Sequence, residues 1–389
     1  MIEYLAFSIL GSLAGAVIGL IPGLHSNLFA YLIFLSNDLS TAMFLFCALL
    51  SSNVFEFLSA AYLNVPKEGE VLLKDSFSRF LTSGRMNSAV KIIAYSSIMT
   101  YSIIMILGVL IGKTISSITY FMGNKAWIFL LILCASIIWG QKNKRMLALT
   151  FFLSSGALGF FSFNLGLNEP FLPLLTGMFG LSGIIMNSKK NIAPSQMENS
   201  AVESGFFEIL KQSIMGTFCS IIMMLLPAIS PSQIGFFASK YEDDELKVAS
   251  ITSINIADVI LSLVTFFFIG KGRSGTIEKI GQAMSIGIKE YYLLMSFGFF
   301  ALLLANFFAI HANKKLGKNS GIIGSNYFKL GIMVFVILLT FYFDGALGLI
   351  VLFLSTIMGL LLLKKNVRPV NLMGCLAVPT LIFFASRFF

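Results

Sequence analysis

The stretch YLAFSILGSLAGAVIGLIPGLHSNLFAYLIFL, residues 4–35, decides the fold of this chain. Its apolar run is long enough to cross a bilayer, which takes about 20 residues. The sequence Ile21-Pro22-Gly23-Leu24-His25-Ser26-Asn27 interrupts that run. Proline removes a backbone donor and clashes with the preceding turn, so a helix is expected to end there. Because unpaired backbone groups are costly in hydrocarbon, the interruption is expected to face protein or a water-filled cavity.

The rest of the chain has the same apolar character. Of its 389 residues, 57% are hydrophobic and 12% are charged, against about 25% charged in an average soluble domain. Further apolar runs of membrane length predict an all-α polytopic membrane protein with about 10–12 membrane segments, located in the cell (plasma) membrane. An acid, Glu3, stands where a signal peptide carries Lys or Arg, so the first run is interpreted as a retained membrane segment.

The net charge of +9 comes from Lys and Arg in short loops between apolar runs, as at 142–145 and 364–365. This pattern is typical of the positive-inside bias, and it favours membrane lipid with anionic headgroups as a partner. No loop is long enough to form a nucleic-acid-binding module. The two halves carry comparable numbers of Lys and Arg, so the loops alone assign no membrane orientation.

Metal and catalytic chemistry have little support in the sequence. The four Cys lie singly inside apolar runs, and the chain has two His, so neither a metal site nor a disulfide framework is expected. No HExxH or Gly-x-Ser-x-Gly motif is present. We therefore expect no catalytic residues and no cofactor, and a protein that is not an enzyme.

Three features recur in the same order in the two halves of the chain. The matched features are Gly11 and Pro22 with Gly216 and Pro227, Asn53 and Glu56 with Asn255 and Asp258, and the sequence Gly-Ala-Leu-Gly at 156–159 with the same sequence at 345–348. They predict a first transmembrane repeat at 1–187, a linker at 188–204 and a second repeat at 205–389, each repeat with a Pro-broken or re-entrant helix. An inverted arrangement requires an odd number of crossings per half. If each of the six apolar runs per half crosses the membrane, the number is even and the repeats are not inverted. If the interrupted run is a re-entrant hairpin, five crossings remain and inversion is possible.

The two interruptions predict an anion site. A broken helix exposes free N–H groups at the start of the next half-helix, and the helix dipole adds positive potential there. Two ordinary kinks at the membrane edge are the alternative. His25 is either a donor to the anion or an interfacial loop histidine, and Arg273 either attracts the anion or belongs to a solvated loop. The candidate substrate-binding residues are Pro22, Gly23, His25, Ser26, Asn27, Pro227, Ser230, Ser232, Gln233 and Arg273.

Two acids inside apolar runs predict a site for ion coupling. Glu56 and Asp258 each have an amide, Asn53 or Asn255, three residues earlier on the same helix face. Ionisable residues within membrane segments are functional candidates, here for binding Na⁺ or H⁺. Helix–helix hydrogen bonding is the alternative role. Asp344, between two apolar runs, is interpreted as a short-loop acid.

The sequence around both prolines resembles the TctA family, the large membrane subunits of tripartite tricarboxylate transporters, in its stand-alone archaeal-type branch. The resemblance lies in Ile21-Pro22-Gly23-Leu24-His25-Ser26-Asn27, in Arg273-Ser274-Gly275 and in Leu226-Pro227-Ala228-Ile229-Ser230-Pro231-Ser232-Gln233. The last stretch resembles the family's Leu-Pro-Gly-x-x-Pro-x-Gln, with Ala228 in place of Gly.

This resemblance implies a secondary, ion-coupled carrier that moves an anionic solute of the carboxylate class by alternating access. In bacterial systems such subunits work with a small membrane subunit and an extracytoplasmic binding protein and take up citrate-like carboxylates. The two-repeat pattern is also similar to that of the family that carries polyprenyl-phosphate lipids across membranes, so a lipid-phosphate translocase is the alternative. The sequence establishes neither the oligomeric state, for which a homo-oligomer is one alternative, nor a binding-protein partner.

Overall fold

The computed structural model describes residues 1–22, 24, 38–122, 125–141, 143–187, 196–197, 200–226, 228–238, 243–318 and 325–386. These residues form helices joined by short loops, and no β-strand occurs among them. The helices are α1 (Ile2–Leu20), α2 (Leu39–Leu63), α3 (Lys74–Thr82), α4 (Met86–Met122), α5 (Ala126–Trp139), α6 (Arg145–Asn164), α7 (Phe171–Met186), α8 (Phe206–Leu225), α9 (Pro231–Ala238), α10 (Asp244–Ile269), α11 (Gly275–Ala283), α12 (Ile288–Lys318), α13 (Asn326–Lys364) and α14 (Gly374–Ala385).

In the described part of the chain, eight helices are long and apolar enough to cross a membrane: α1, α2, α4, α6, α8, α10, α12 and α13. Shorter apolar helices, α5, α7 and α14, lie beside them. Short 3₁₀ turns occur at Val71–Leu73 and Pro369–Met373. The predicted all-α polytopic membrane protein is therefore confirmed.

The chain of α13 turns back on itself at Gly345. This residue has φ 60° and ψ −151°, which no helix accommodates. Gly348 lies beside Thr340, since a Cβ atom built on Gly348 would be 3.2 Å from Thr340 Cγ2. In a continuous helix these two residues, eight positions apart, would be separated by about 12 Å. We call residues 326–344 α13a and residues 346–364 α13b. With α13 counted as two spans and the shorter helices included, the described segments fall within the predicted 10–12.

Small residues let α1 and α2 pack with their backbones in contact. A Cβ atom on Gly11 would overlap the carbonyl oxygen of Phe44, and one on Gly15 that of Ala48. Both residue numbers rise together along the contact, so the two helices run parallel. The hydroxyl of Ser51 on α2 donates to the carbonyl of Ser12 on α1 at 2.6 Å. Close packing of this kind is typical of membrane helices, where dispersion and hydrogen bonds replace the hydrophobic effect.

α8 packs on α10 in the same way. A Cβ atom on Gly216 would overlap the side chain of Ser253, and Ser220 Oγ donates to the carbonyl of Ile254 at 2.8 Å. In both halves, therefore, the helix that precedes the proline packs closely on the next long helix.

A serine and a glycine four residues later hold α6 and α13b against their neighbours. On α6, Gly159 meets the backbone of Cys375 at the start of α14. On α13b, Gly359 meets the carbonyl of Met178 in α7, and Ser355 Oγ donates to the carbonyl of Pro173 at 2.8 Å. Ser155 and Gly159 thus match Ser355 and Gly359.

The third sequence match between the halves is therefore wrong. Gly156 lies in the middle of α6, packed against Val378, whereas Gly345 forms the turn of α13. The Gly-Ala-Leu-Gly sequences at 156–159 and 345–348 are not in equivalent places, because glycine serves close helix packing in one and a left-handed turn in the other.

α6 and α13b run in opposite directions. Lys144 Nζ, just before α6, donates to the carbonyl of Lys365, just after α13b, at 2.6 Å. At the other ends, Asn168 Nδ2 donates to the carbonyl of Phe343 at 2.6 Å. An inverted repeat would require opposite directions of equivalent helices, and the two-repeat plan itself stays a prediction. The repeat boundaries and the linker at 188–204, much of which lies outside the described residues, stay predictions.

Candidate functional site

The first predicted interruption is present at the end of α1. The helix ends at Leu20, and Ile21 is extended with φ −95° and ψ 110° before Pro22. Leu24 is buried against Ile18 and Leu172. The other candidate residues of this interruption, Gly23, His25, Ser26 and Asn27, lie outside the described residues.

Lys67 joins this interruption to Glu56. Its ammonium group lies 2.7 Å from Glu56 Oε1 and also donates to the carbonyl of Leu24. The Lys67 and Glu56 side chains are 7% and 8% exposed. A charge buried to this extent is stable only when it is paired and hydrogen-bonded. Lys67 therefore neutralises Glu56 and satisfies a carbonyl that the broken helix leaves free.

A second acid lies on the same segment. Glu70 Oε2 accepts the backbone N–H of Lys67 at 3.0 Å. Burial and the charge of Glu56 together raise the pKa of Glu70 to about 8, against the opposing effect of Lys67. Glu70 therefore takes up a proton more readily than an exposed glutamate does.

The second predicted interruption is present at the end of α8. The helix ends at Leu225, Leu226 is extended with φ −118° and ψ 121°, and α9 starts at Pro231. Pro227 lies outside the described residues. Ala228 has φ 55°, a left-handed conformation that glycine adopts without strain. The Gly of the resembling motif fits this geometry, and Ala there costs about 1 kcal/mol.

Arg273 occupies the second interruption as Lys67 occupies the first. Its Nη1 donates to the carbonyls of Met223 and Leu226 at 3.0 and 3.2 Å. Its Nε lies 2.9 Å from Asp258 Oδ1. In both places, therefore, a cation bridges the acid of a long helix and the carbonyl groups of a broken helix end.

Sequence reasoning found Arg273 and both acids but missed Lys67. The position of Lys67 in the sequence could have identified it, because Lys67 follows the apolar run that contains Glu56 just as Arg273 follows the run that contains Asp258. The predicted role of Glu56 and Asp258 in ion coupling stays a prediction. It now requires the ion to compete with Lys67 or Arg273.

The two predicted amides have matching environments. Asn53 Nδ2 donates to the carbonyl of Leu49 at 3.0 Å, and Asn255 Nδ2 to that of Ile251 at 3.0 Å. Asn255 also reaches the carbonyl of Gly69 at 3.4 Å. Each amide therefore binds its own helix one turn earlier, and Asn255 also contacts the segment that carries Lys67.

The segment 67–72 connects the two interruptions. Lys67 binds Leu24 in the first, and Leu72 Cδ1 lies 3.2 Å from the Cβ position of Gly235 on α9 in the second. A narrow cavity lies beside Lys67, lined on the other side by Thr176 and Phe179 of α7. α7 is π-helical at Thr176–Leu181, an irregularity frequent at functional sites.

Gln233 is a buried donor at the second interruption. The backbone N–H of Ser230 donates to its Oε1 at 2.8 Å, which fixes the orientation of the amide. Its Nε2 is buried without an acceptor, and the residue is 0% exposed. Ser230 Oγ and Ser232 Oγ hydrogen-bond each other at 2.9 Å. The amide NH₂ of Gln233 is therefore available to an acceptor at the start of α9.

Two interrupted membrane helices with charged groups at their breaks are an arrangement typical of the binding sites of membrane transporters. The profile of the tripartite tricarboxylate transporter TctA family matches residues 5–374, so the chain belongs to that family. It is accordingly a multi-pass membrane protein of a transporter family and not of an enzyme family.

The chain is also similar to an uncharacterized protein of Methanocaldococcus jannaschii. The two are 26% identical over 98% of each chain. No solved structure matches the chain.

Proposed function

We propose that this protein is a secondary active carrier that moves an anionic solute of the carboxylate class by alternating access. The two interruptions form its substrate site, and Na⁺ or H⁺ drives it. The observation that carries the proposal is Gln233, whose buried NH₂ group has no acceptor at the positive end of α9. A buried donor without a partner costs about 1–3 kcal/mol, and a carboxylate oxygen would remove that cost.

The helix dipole adds to this preference. α9 begins at Pro231, so Gln233 lies in its first turn, where negative charge is favoured. The guanidinium of Arg273 lies at the end of the preceding helix and is 21% exposed. A donor, a helix N-terminus and an accessible cation thus surround the same break.

The ion pairs suggest how substrate and ion would be coupled. Asp258 holds Arg273, and Glu56 holds Lys67. A substrate anion that takes over Arg273 would release Asp258, which then binds the coupling cation. By linkage, the cation would strengthen substrate binding by the same factor.

Replacing Gln233 with Glu tests the substrate site. The new carboxylate can still accept the Ser230 N–H, but it removes the donor and adds negative charge. We expect the KM for uptake of labelled citrate into proteoliposomes to rise about 10- to 100-fold, since a hydrogen bond to a charged group contributes about 1.5–3 kcal/mol.

The control is Gln282→Glu, the same change at an exposed position of α11, which should leave uptake unchanged. Equal KM values for the Q233E variant and the wild type would reject the site. In the wild type, carboxylates are assayed beside polyprenyl phosphates. Transport of the lipid phosphate alone would replace the carboxylate assignment with the lipid-translocase alternative.

A further inference from the structure

The turn of α13 brings two acids from distant parts of the chain together. The backbone N–H of Glu169, in the loop between α6 and α7, donates to Asp344 Oδ1 at 2.8 Å. The preceding residue of that loop is Asn168, whose side-chain amide donates to the carbonyl of Phe343. Asp344 therefore ties the α13 turn to the start of α7.

Two polar groups at this turn are buried without partners. Asp344 Oδ2 and Thr340 Oγ1 have no hydrogen bond, and the residues are 9% and 0% exposed. They lie one turn apart on α13a. Both side chains adjoin the Cβ position of Gly348, which is 3.4 Å from Asp344 Cγ and 3.2 Å from Thr340 Cγ2. A carboxylate oxygen and a hydroxyl thus lie buried at the same turn, each without a hydrogen-bond partner.

Glu169 adds a second buried carboxyl to this place. Burial and the charge of Asp344 together raise the pKa of Glu169 to about 7, against the opposing effect of Lys279 on α11. The apolar side chains of Leu172 and Phe343 pack together near the turn. Two carboxylates in such surroundings repel each other, and a single proton between them removes the repulsion.

We propose that Asp344 and Glu169 form a proton-binding site in which one proton is shared between the two carboxyl groups. The protonated carboxyl donates its O–H to the other carboxylate, and Thr340 donates its hydroxyl to the remaining oxygen. The proton holds the α13 turn against the loop before α7, and its release leaves two adjacent negative charges that push them apart. This site is separate from Glu56 and Asp258 and does not depend on the proposed substrate.

Infrared difference spectroscopy of the purified full chain tests the site. The carbonyl stretch of a protonated carboxyl is followed while the pH is raised from about 5 to about 9. We expect the wild-type band near neutral pH to lose the contribution of this pair in both Glu169→Gln and Asp344→Asn, whereas the contribution of the buried Glu70 remains in all three proteins. The D344N variant keeps an oxygen that can accept the Glu169 N–H, so its fold should persist.

Glu290→Gln, which changes an acid in the first turn of α12, is the control and should keep the band. An unchanged band in both E169Q and D344N overturns the proposal. So does a band that responds to Na⁺ concentration at constant pH, because a metal ion would then occupy the site. No transport measurement enters this test, so it stands apart from the substrate proposal.

The helix directions carry a second inference, the orientation in the membrane. The ends of α6 and α13b that meet at Lys144 and Lys365 define one face of the protein, and their other ends, at Asn168 and Phe343, define the opposite face. Lys329 binds Asn187, whose side chain binds Asn64, so all three share a side. The turn at Asp344 lies at the opposite face, beside Phe343. Because α13a crosses the protein between Lys329 and that turn, Lys329 and the two asparagines lie at the first face.

Lys and Arg at helix ends concentrate on the first face. The hydroxyl of Tyr62, two residues before Asn64, donates to Asn313 Oδ1 near the end of α12 at 2.8 Å. The last turns of α12 therefore lie at the first face too. The basic residues of the first face include Lys144, Arg145, Lys314, Lys315, Lys318, Lys329, Lys364, Lys365 and Arg368. Those at helix ends on the opposite face include Lys125, Lys271, Lys279 and Lys289.

We infer from this asymmetry that the first face is cytoplasmic, since Lys and Arg near membrane segments accumulate inside. The Asp344–Glu169 site then faces the outside. Intact cells carrying Lys289→Cys or Lys365→Cys are treated with a membrane-impermeant maleimide, with the wild type as background. We expect the K289C variant to be labelled in intact cells and K365C only after permeabilisation. The reverse pattern overturns the assignment.

Discussion

Replacing Lys67 with Met is expected to lower the free energy of unfolding by about 3–5 kcal/mol, because it leaves Glu56 buried without its counter-ion. The Lys67 ammonium lies 2.7 Å from Glu56 Oε1, with both side chains less than a tenth exposed. The same change removes the donor to the Leu24 carbonyl at the first interruption. Reversible unfolding in mixed micelles, followed by far-UV circular dichroism, measures the loss.

Two further variants separate the ion pair from a general loss of charge. The double change Glu56→Gln with Lys67→Met should recover most of the stability, since a buried pair replaced by neutral groups of similar size is often tolerated. Arg79→Met breaks the pair between Arg79 and Asp244, in which the Arg79 side chain is 55% exposed, and should cost at most about 1 kcal/mol. Equal losses for K67M and R79M would contradict the buried-pair interpretation.

The helix plan could be predicted from the sequence, because each feature that sets it is local. Hydrophobic length marks the spans, and a proline marks each broken end, so α1 and α8 each end two residues before their proline, Pro22 or Pro227. The short polar interval at Asp344 and Gly345 likewise separates two apolar runs that the structure folds into α13a and α13b.

The partners of the charged residues could not be predicted in the same way. Lys67 reaches a carbonyl 43 residues away, and Glu169 binds an acid 175 residues away. The segment around Lys67 is a loop without periodicity, so the sequence assigns its side chain no direction. Sequence patterns locate buried acids well, but only the fold reveals the cation that each acid already holds.

The repeated Gly-Ala-Leu-Gly sequence was misleading for a related reason. Glycine satisfies two different demands in this protein, close helix contact at Gly159 and a left-handed turn at Gly345. Identical letters therefore do not imply identical places. The match that the packing supports, Ser155 and Gly159 with Ser355 and Gly359, preserves spacing and contact rather than the letters between them.

Replacing Gly15 with Leu is expected to be at least as damaging as the loss of Lys67. A Cβ atom there would overlap the carbonyl oxygen of Ala48 and lie 2.9 Å from Ala48 Cα. Both are backbone atoms of α2, so no side-chain rotation can relieve the overlap. α1 must move away from α2, which forfeits the packing that replaces the hydrophobic effect inside a membrane. Overpacking costs typically about 1–3 kcal/mol and occasionally more. The overlap with backbone atoms places this variant at the upper end or beyond it, measurable by the same unfolding method.

The displacement should also reach the first interruption. α1 ends at Leu20, and the Leu24 carbonyl just beyond it is held by Lys67, so a shifted helix carries that carbonyl away from the Lys67–Glu56 pair. Gly331→Leu is the matched control, because no atom lies within 4 Å of the Cβ position of Gly331 on α13a. We expect that variant to be neutral or more stable by up to about 1 kcal/mol, since Leu favours a helix over Gly. Similar losses at Gly15 and Gly331 would show that bulk alone, and not the α1–α2 contact, destabilises the protein.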